Sequence, residues 1–306
     1  MRRWLPNLVT TIAAIVGVTL LVSACAAEVR GAPPAAENTP QVPVAPQAPI
    51  TEVPEAPPAA PFDGLEARVT QATEDAAAAS GADIRVAVLD RNTGQIASSE
   101  AAQPFPIASV VKLFIADDLL LRESRGEAEL SDADRSSLDV MLRSSDDSAA
   151  QMFWDRSGGN AVIARIVARY GLTGTTAPAN GRWDVTQSTA SDLVRYYDML
   201  LNGTGGLPPE QADVIIGNLA QATPTGIDGY PQRFGIPDGL YAEPVAFKQG
   251  WFCCWNGGNQ LHVSTGVIGP ERRYVMAISS LDPVGAAAAR ENITEAVKTM
   301  FPGGTI

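Results

Sequence analysis

The chain has 306 residues, of which 45% are hydrophobic and 18% are charged, and its formal net charge is −12. This acidic balance argues against nucleic acid or anionic lipid as a partner, because both carry negative charge. With three cysteines and one histidine, the chain is also poorly equipped for a closed zinc site, which needs four ligands.

The N-terminus has the pattern of an export signal. Arg2 and Arg3 precede an apolar run over residues 8–22, which is short for a membrane span of about 20 residues. Small residues come directly before Cys25, as in bacterial lipoprotein processing. We expect a signal peptide over 1–24 rather than an uncleaved transmembrane anchor, and acylation of Cys25 with chains such as palmitate. The mature protein would then be anchored to the outer face of the cell membrane, with a net charge of −14 because two Arg and no acid are removed.

A tether and a single folded region follow. Residues 25–61 are rich in Ala and Pro and contain no aromatic residue, so we expect an extended spacer with polyproline II character. Residues 62–306 are long enough to fold. Helical periodicity is predicted near both ends of this region and through its middle, over residues 64–79, 109–123, 131–156, 159–170, 188–202, 208–220 and 287–300. Strands are predicted over residues 83–90, with a turn at 92–94, and over 245–251, 260–268 and 273–280.

This order of elements predicts an α/β fold in which one antiparallel sheet is formed by the two ends of the chain. The N- and C-terminal helices flank the sheet, and an all-helical domain is inserted. We expect an α/β lobe over 62–106 and 240–306 and a helical lobe over 107–239. Clefts between such lobes favour ligand sites.

The two remaining cysteines, Cys253 and Cys254, are neighbours. Their Cα atoms lie about 3.8 Å apart across a trans peptide, closer than an ordinary disulfide allows. A vicinal disulfide and two buried thiols are therefore both open, and a metal site is disfavoured.

Three short motifs carry chemistry. Ser109 and Lys112 open an apolar helix at a spacing that places them on one face, and a desolvated lysine can remove the proton of a serine nucleophile. Ser145-Asp146-Asp147 follows about 36 residues on, and Lys248-Gln249-Gly250 begins the C-terminal strands. In order and spacing these motifs resemble those of the class A serine β-lactamases and penicillin-binding proteins. The resemblance extends over nearly all of residues 62–306.

The resemblance implies a role for each matching residue. Ser109 would be the acylated nucleophile, Lys112 its base, and Ser145 a proton relay to the leaving group. Lys248 would attract a substrate carboxylate, and Asp147, Gln249, Gly250 and Trp251 stand at the other substrate-binding positions. The backbone amides of Ser109 and Trp251 would form the oxyanion hole. No cofactor or metal is implied, and the expected ligand is a peptidoglycan-like peptide or a β-lactam.

Three departures from the family pattern weaken the expectation of turnover. Asp147 stands where the family has an asparagine, and an ionised carboxylate cannot donate a hydrogen bond. It would also stabilise protonated Lys112 and repel a substrate carboxylate. Gln249 replaces a small hydroxyl residue. Between residues 148 and 241 the only glutamate is Glu210, so no residue matches the deacylating glutamate. Asp184 matches a structural aspartate of the family rather than a base.

Other candidates are secondary. His262 lies within a predicted strand, where we expect a structural role rather than a place in a Ser-His-Asp triad. Trp183, Trp251 and Trp255 either line a cleft or simply pack. Asp117 and Asp118 lie in a helix expected to be buried, so they need partners.

Two hypotheses remain open. One is a slow, acyl-enzyme-forming serine hydrolase, and the other is an inactive protein of the same fold that binds a cell-wall fragment or a protein partner. Efficient β-lactamase activity is not expected. A Lys112 that is free to reach Ser109, beside an open groove, would favour the enzyme. An ion pair of Lys112 with Asp147, with Gln249 across the cleft, would favour the binding protein.

Overall fold

The computed structural model describes Phe62 and residues 64–306. The predicted signal peptide, Cys25 and the tether lie outside the described residues. Within the described part of the chain, no helix is both long enough and apolar enough to cross a membrane.

The predicted α/β fold is confirmed. The nine helices described are α1 (Leu65–Ser80), α2 (Lys112–Ser124), α3 (Asp132–Arg143), α4 (Asp147–Arg156), α5 (Ala161–Tyr170), α6 (Ala190–Asn202), α7 (Pro209–Leu219), α8 (Ile236–Gly239) and α9 (Ala286–Met300). The seven strands described are β1 (Asp83–Asp90), β2 (Gln95–Ser99), β3 (Phe105–Pro106), β4 (Gln187–Ser188), β5 (Val245–Trp255), β6 (Asn259–Ile268) and β7 (Tyr274–Asp282).

Five strands form one antiparallel sheet in the order β2-β1-β7-β6-β5, so its two halves come from the two ends of the chain. Strand β1 shows how the sheet is covered, because its side chains alternate between the two faces. Val86 and Val88 join the core beneath α1 and α9, whereas Ala87 and Leu89 join the core that the inserted helices share. Burial of both faces places the sheet in the centre, with β5 at one edge.

Helix α2 is buried on all sides, as its apolar sequence predicts. Its two buried acidic residues have the partners that burial requires. Asp117 accepts hydrogen bonds from Arg169 and from the Tyr170 hydroxyl. Asp118 accepts two hydrogen bonds from Arg165, at 2.6 and 2.7 Å. Both arginines lie on α5, so this pair of charged contacts joins α2 to α5.

The single helix expected over residues 131–156 is wrong in one respect. The structure divides it into α3 and α4, separated at residues 144–146. Ser145 has a φ of 57°, which ends the right-handed helix. Asp146 then caps α4 by accepting the backbone N–H of Ala149 at 2.8 Å. Apolar periodicity continues across the break, so it gives no sign of this interruption.

Candidate active site

Ser109 lies on a 3-10 turn, Ala108–Val111, that leads directly into α2. The turn is held to the chain before β4 by a hydrogen bond from Ile107 N to Thr186 O at 2.9 Å. Ala108 has a φ of 46°, a conformation that costs energy for a residue with a Cβ. The nucleophile predicted from sequence therefore lies on a strained turn at the start of the buried helix, and its side chain is nearly buried.

Lys112 is 0% exposed and its Nζ is surrounded by oxygen. It lies 2.8 Å from Ser109 Oγ and 2.6 Å from Asp147 Oδ1. It also lies 2.7 Å from the carbonyl oxygen and 3.1 Å from the hydroxyl of Ser145. A protonated lysine has only three N–H groups for these four oxygens. At least one of the four oxygens therefore lacks an N–H of its own, and when Lys112 is neutral a serine hydroxyl can donate to Nζ.

Burial is the main influence on Lys112 and lowers its pKa. Asp147 opposes this effect, because its carboxylate favours the charged form of the lysine. Asp147 therefore raises the pKa of Lys112, as expected, but the loss of hydration on burial lowers that pKa by more. Lys112 Nζ thus lies within hydrogen-bond distance of Ser109 Oγ and has a pKa below the usual lysine value.

Ser145 connects the two lysines of the site. Its left-handed backbone turns the hydroxyl inward, where it lies 3.1 Å from Lys112 Nζ and 2.9 Å from Lys248 Nζ. Lys248 is also buried and donates to Gln249 O at 3.1 Å. Burial lowers the pKa of Lys248 strongly, and the positive charge of Lys112 adds to the effect. A hydroxyl between two amines of lowered pKa suits proton transfer.

Gln249 does not face the substrate position predicted for it. Its side chain is fully buried, and its amide donates to Gln232 O at 3.0 Å and to Phe234 O at 2.7 Å. Its length lets it reach the backbone on the far side of β5, so it neither fills the cleft nor faces Asp147 across it. Gly250 has a different role. A Cβ there would lie 2.5 Å from Ile107 O, so glycine permits β5 to approach the Ser109 turn.

A cleft of about 470 Å³ opens above Ser109. Its lining residues come from the Ser109 turn, α4, the segment before β4, the segment before α8, and β5: Ala108, Ser109, Asp147, Gln151, Arg182, Trp183, Asp184, Asp228, Trp251 and Phe252. The predicted nucleophile thus lies beside a groove large enough for a small ligand.

The structure distinguishes the three tryptophans. Trp183 lines the cleft and donates through Nε1 to Gln151 Oε1 at 3.1 Å. Trp251 also lines it and donates to Asp228 Oδ2 at 3.3 Å. Trp255 instead packs against Phe252, with ring centroids 5.9 Å apart, and against the core.

The segment before β4 provides no deacylating glutamate. Asp184 lines the cleft but pairs with Arg182, at 2.5 Å between Oδ2 and Nη2. Glu210 lies in the first turn of α7 and is not among the residues that line the cleft.

His262 is buried and does not line the cleft, and its side-chain hydrogen bond is made with Tyr230 rather than with Ser109. Its Nε2 lies 2.6 Å from the Tyr230 hydroxyl, and Tyr230 stacks on Trp251 with ring centroids 4.9 Å apart. Burial and the charge of Arg290 lower the pKa of His262 to about 3, so the ring is neutral at neutral pH. Sequence reasoning missed Tyr230 and Asp228, because both belong to a loop without strand or helix periodicity.

Cys253 and Cys254 are exposed and joined by a vicinal disulfide across a cis peptide bond. Two buried thiols, the other alternative, are not what the structure contains. The pair occupies a β-bulge, because β5 has one more residue than β6 between Phe252 and Trp255.

The fold and the Ser-Lys site together define the class of protein. A model described as "Beta-lactamase enzyme family" matches residues 67–133 and 135–301. The chain therefore belongs to the β-lactamase enzyme family. It is 62% identical over 245 residues to the protein named "Putative lipoprotein LppW" of Mycobacterium tuberculosis, a match that covers 80% of this chain and 77% of that protein.

Solved structures share the fold at low identity. A β-lactamase from Chitinophaga pinensis has a TM-score of 0.63 at 16% identity, covering 76% of this chain and 97% of its own. A class A β-lactamase from Bacteroides cellulosilyticus has a TM-score of 0.64 at 15% identity, covering 78% and 98%. A point mutant of PBP-A, solved as an acyl-enzyme complex with penicillin G, has a TM-score of 0.63 at 19% identity, covering 79% and 97%.

Proposed function

We propose that this protein is a serine hydrolase that forms a long-lived acyl-enzyme through Ser109. The observation that carries the proposal is the 2.8 Å contact between Ser109 Oγ and the buried Lys112 Nζ, at the floor of a cleft. A serine hydroxyl becomes a useful nucleophile when an adjacent base takes its proton. The substrates we infer are peptides of the cell wall or related acyl donors.

Each step follows from the contacts. Lys112 takes the Ser109 proton as Oγ attacks the carbonyl carbon, and the backbone amides of Ser109 and Trp251 hold the oxyanion. Ser145 then passes a proton to the leaving group, because its hydroxyl contacts both lysines. Release of the acyl group needs an activated water. The only carboxylate that the segment before β4 brings to the cleft, Asp184, is paired with Arg182, so release is slow.

We further propose that the mature chain is a lipoprotein anchored through Cys25 to the outer face of the cell membrane. The support is the small-residue pattern before Cys25 and the name of the mycobacterial relative. Residues 25–61 would act as a spacer between the membrane and the lobes proposed over 62–306.

A second candidate function is ligand binding without acyl chemistry. It is favoured by the ion pair between Lys112 Nζ and Asp147 Oδ1, at 2.6 Å. If this pair keeps Lys112 protonated throughout the working pH range, Ser109 has no base. The cleft would then retain a cell-wall fragment or a protein partner without cleaving it.

Mass spectrometry of the intact protein separates the two candidates. Full-length protein in mild detergent is incubated with an uncharged fluorophosphonate and with a penicillin, beside the Ser109→Ala variant. We expect a covalent adduct on the native protein, none on the variant, and slow loss of the penicilloyl group. Failure of both probes on folded protein would leave the binding function as the better explanation.

Asp147→Asn is expected to increase the rate of Ser109 acylation by an uncharged ester roughly tenfold at neutral pH, a change of about 1.4 kcal/mol in the barrier. Acylation requires neutral Lys112, and Asp147 raises the pKa of that lysine. Removing the charge therefore moves the rising limb of the pH-rate profile to lower pH. Stopped-flow kinetics across the pH range measures the shift.

The matched control is Asp139→Asn, which removes the same charge from an exposed pair with Arg143 on α3. Its profile should coincide with that of the native protein. A profile for Asp147→Asn that stays in place or moves to higher pH would show that Asp147 does not set the protonation of Lys112.

A further inference from the structure

We infer that the acyl donor accepted by this cleft carries a positively charged amine on its leaving-group side, in place of a free carboxylate. This inference rests on the proposed acylation of Ser109 and adds the charge of the substrate. The expected charge of the substrate follows from which charged groups reach the cleft surface and which are buried beneath it.

Two carboxylates reach the surface of the cleft, one with a single ion-pair contact and one with none from the described residues. Asp147 is 71% exposed and only Oδ1 contacts Lys112, whereas Oδ2 accepts no hydrogen bond from the described part of the chain. Asp228 is exposed on the facing side and accepts only the neutral N–H groups of Trp251 and Tyr230. Within the described residues Asp228 makes no ion pair. Both acids line the same cleft as Ser109.

The positively charged side chains of the site are either buried or paired with a carboxylate. Lys112 and Lys248 are 0% and 1% exposed and are engaged by Ser145 and their other neighbours. Arg182 is 68% exposed but pairs with Asp184. Gln249 turns its amide away from the cleft. A ligand carboxylate would therefore meet two carboxylates at the surface, with the lysines below them.

The aromatic residues of the cleft also favour a positively charged ligand. Trp183 and Trp251 border the cleft, and an aromatic face attracts a cation through its quadrupole. Lys112 Nζ already lies 4.9 Å from the Trp183 ring centre. A quaternary or primary ammonium near Asp147 and Asp228 would gain from the carboxylates and from these rings together.

Three matched esters test the inference on the full-length protein in detergent. All are phenylacetyl-D-alanine phenyl esters that differ only in the meta group of the leaving phenol: trimethylammonio, tert-butyl or carboxylate. In each, the bond from Ser109 Oγ to the acyl carbon forms, the ester C–O bond breaks, and the phenol leaves with the proton. The acylation rate of each ester is divided by its rate of alkaline hydrolysis, which removes differences in intrinsic reactivity.

We expect the corrected kcat/KM to fall about tenfold from the cationic to the neutral ester and about tenfold again to the anionic one. High salt should compress these ratios. Asp228→Asn should lower the ratio of cationic to neutral ester. Asp213→Asn, the same change in an exposed residue of α7 that pairs with Arg272, should leave the ratio unchanged.

The possible results distinguish the charge preference from the proposed acylation of Ser109. Acylation of Ser109 at equal corrected rates, or fastest with the carboxylate ester, would overturn the charge preference and leave the hydrolase in place. Acylation by none of the three esters would overturn both. A cationic preference that Asp228→Asn leaves intact would also refute the inference, because Asp228 is the carboxylate of the cleft that makes no ion pair within the described residues.

Discussion

Lys112→Met is expected to slow acylation of Ser109 by an uncharged fluorophosphonate by about 10²–10⁴-fold, the usual contribution of a general base. The methionine fills a similar buried volume but cannot accept the proton of Ser109, which Lys112 Nζ approaches to 2.8 Å. The rate is measured by the growth of the adduct in intact-mass spectra.

Lys298→Met is the matched control, because Lys298 is an exposed residue of α9 that pairs with Glu295 on the same helix. We expect its labelling rate to equal that of the native protein. A Lys112→Met variant that folds and labels at the native rate would show that another group activates Ser109, and the mechanism proposed here would be wrong.

Arg169→Met is expected to lower the free energy of unfolding by about 3–5 kcal/mol. Arg169 is 16% exposed and pairs with Asp117, which is fully buried in α2. Without the guanidinium, Asp117 is left with the Tyr170 hydroxyl and must remain charged in an apolar core or take up a proton. Urea denaturation at neutral pH measures the loss.

Two variants test the explanation. Arg272→Met breaks an exposed pair with Asp213 and should cost less than about 1 kcal/mol. Adding Asp117→Asn to Arg169→Met should restore part of the stability, because the unpaired charge disappears. Equal losses for Arg169→Met and Arg272→Met would mean that burial of the pair has no energetic consequence.

The position of the site depends on helix α2. Ser109 and Lys112 lie at the start of this buried helix, which the Asp117 and Asp118 contacts join to α5. A site on a rigid element keeps its geometry without help from a ligand. One wall of the cleft includes Trp251 and Asp228, and these two residues form one chain of contacts with Tyr230.

The class of fold and the location of the three motifs along the chain could be predicted from the sequence alone. Periodicity places strands at both ends and helices between them, because burial of one face repeats every two residues in a strand and every 3.6 in a helix. The spacing from Ser109 to Lys112 is similarly local, since one turn of helix brings them together.

The remaining features of the site depend on contacts that appear only after folding. They are the backbone break at Ser145, the position of the Gln249 side chain behind β5, and the contacts of Trp251 with Asp228 and Tyr230. The pKa of Lys112 likewise depends on the tertiary structure. Sequence shows the opposing charge of Asp147, whereas the loss of hydration that outweighs it exists only after the chain has folded around the lysine.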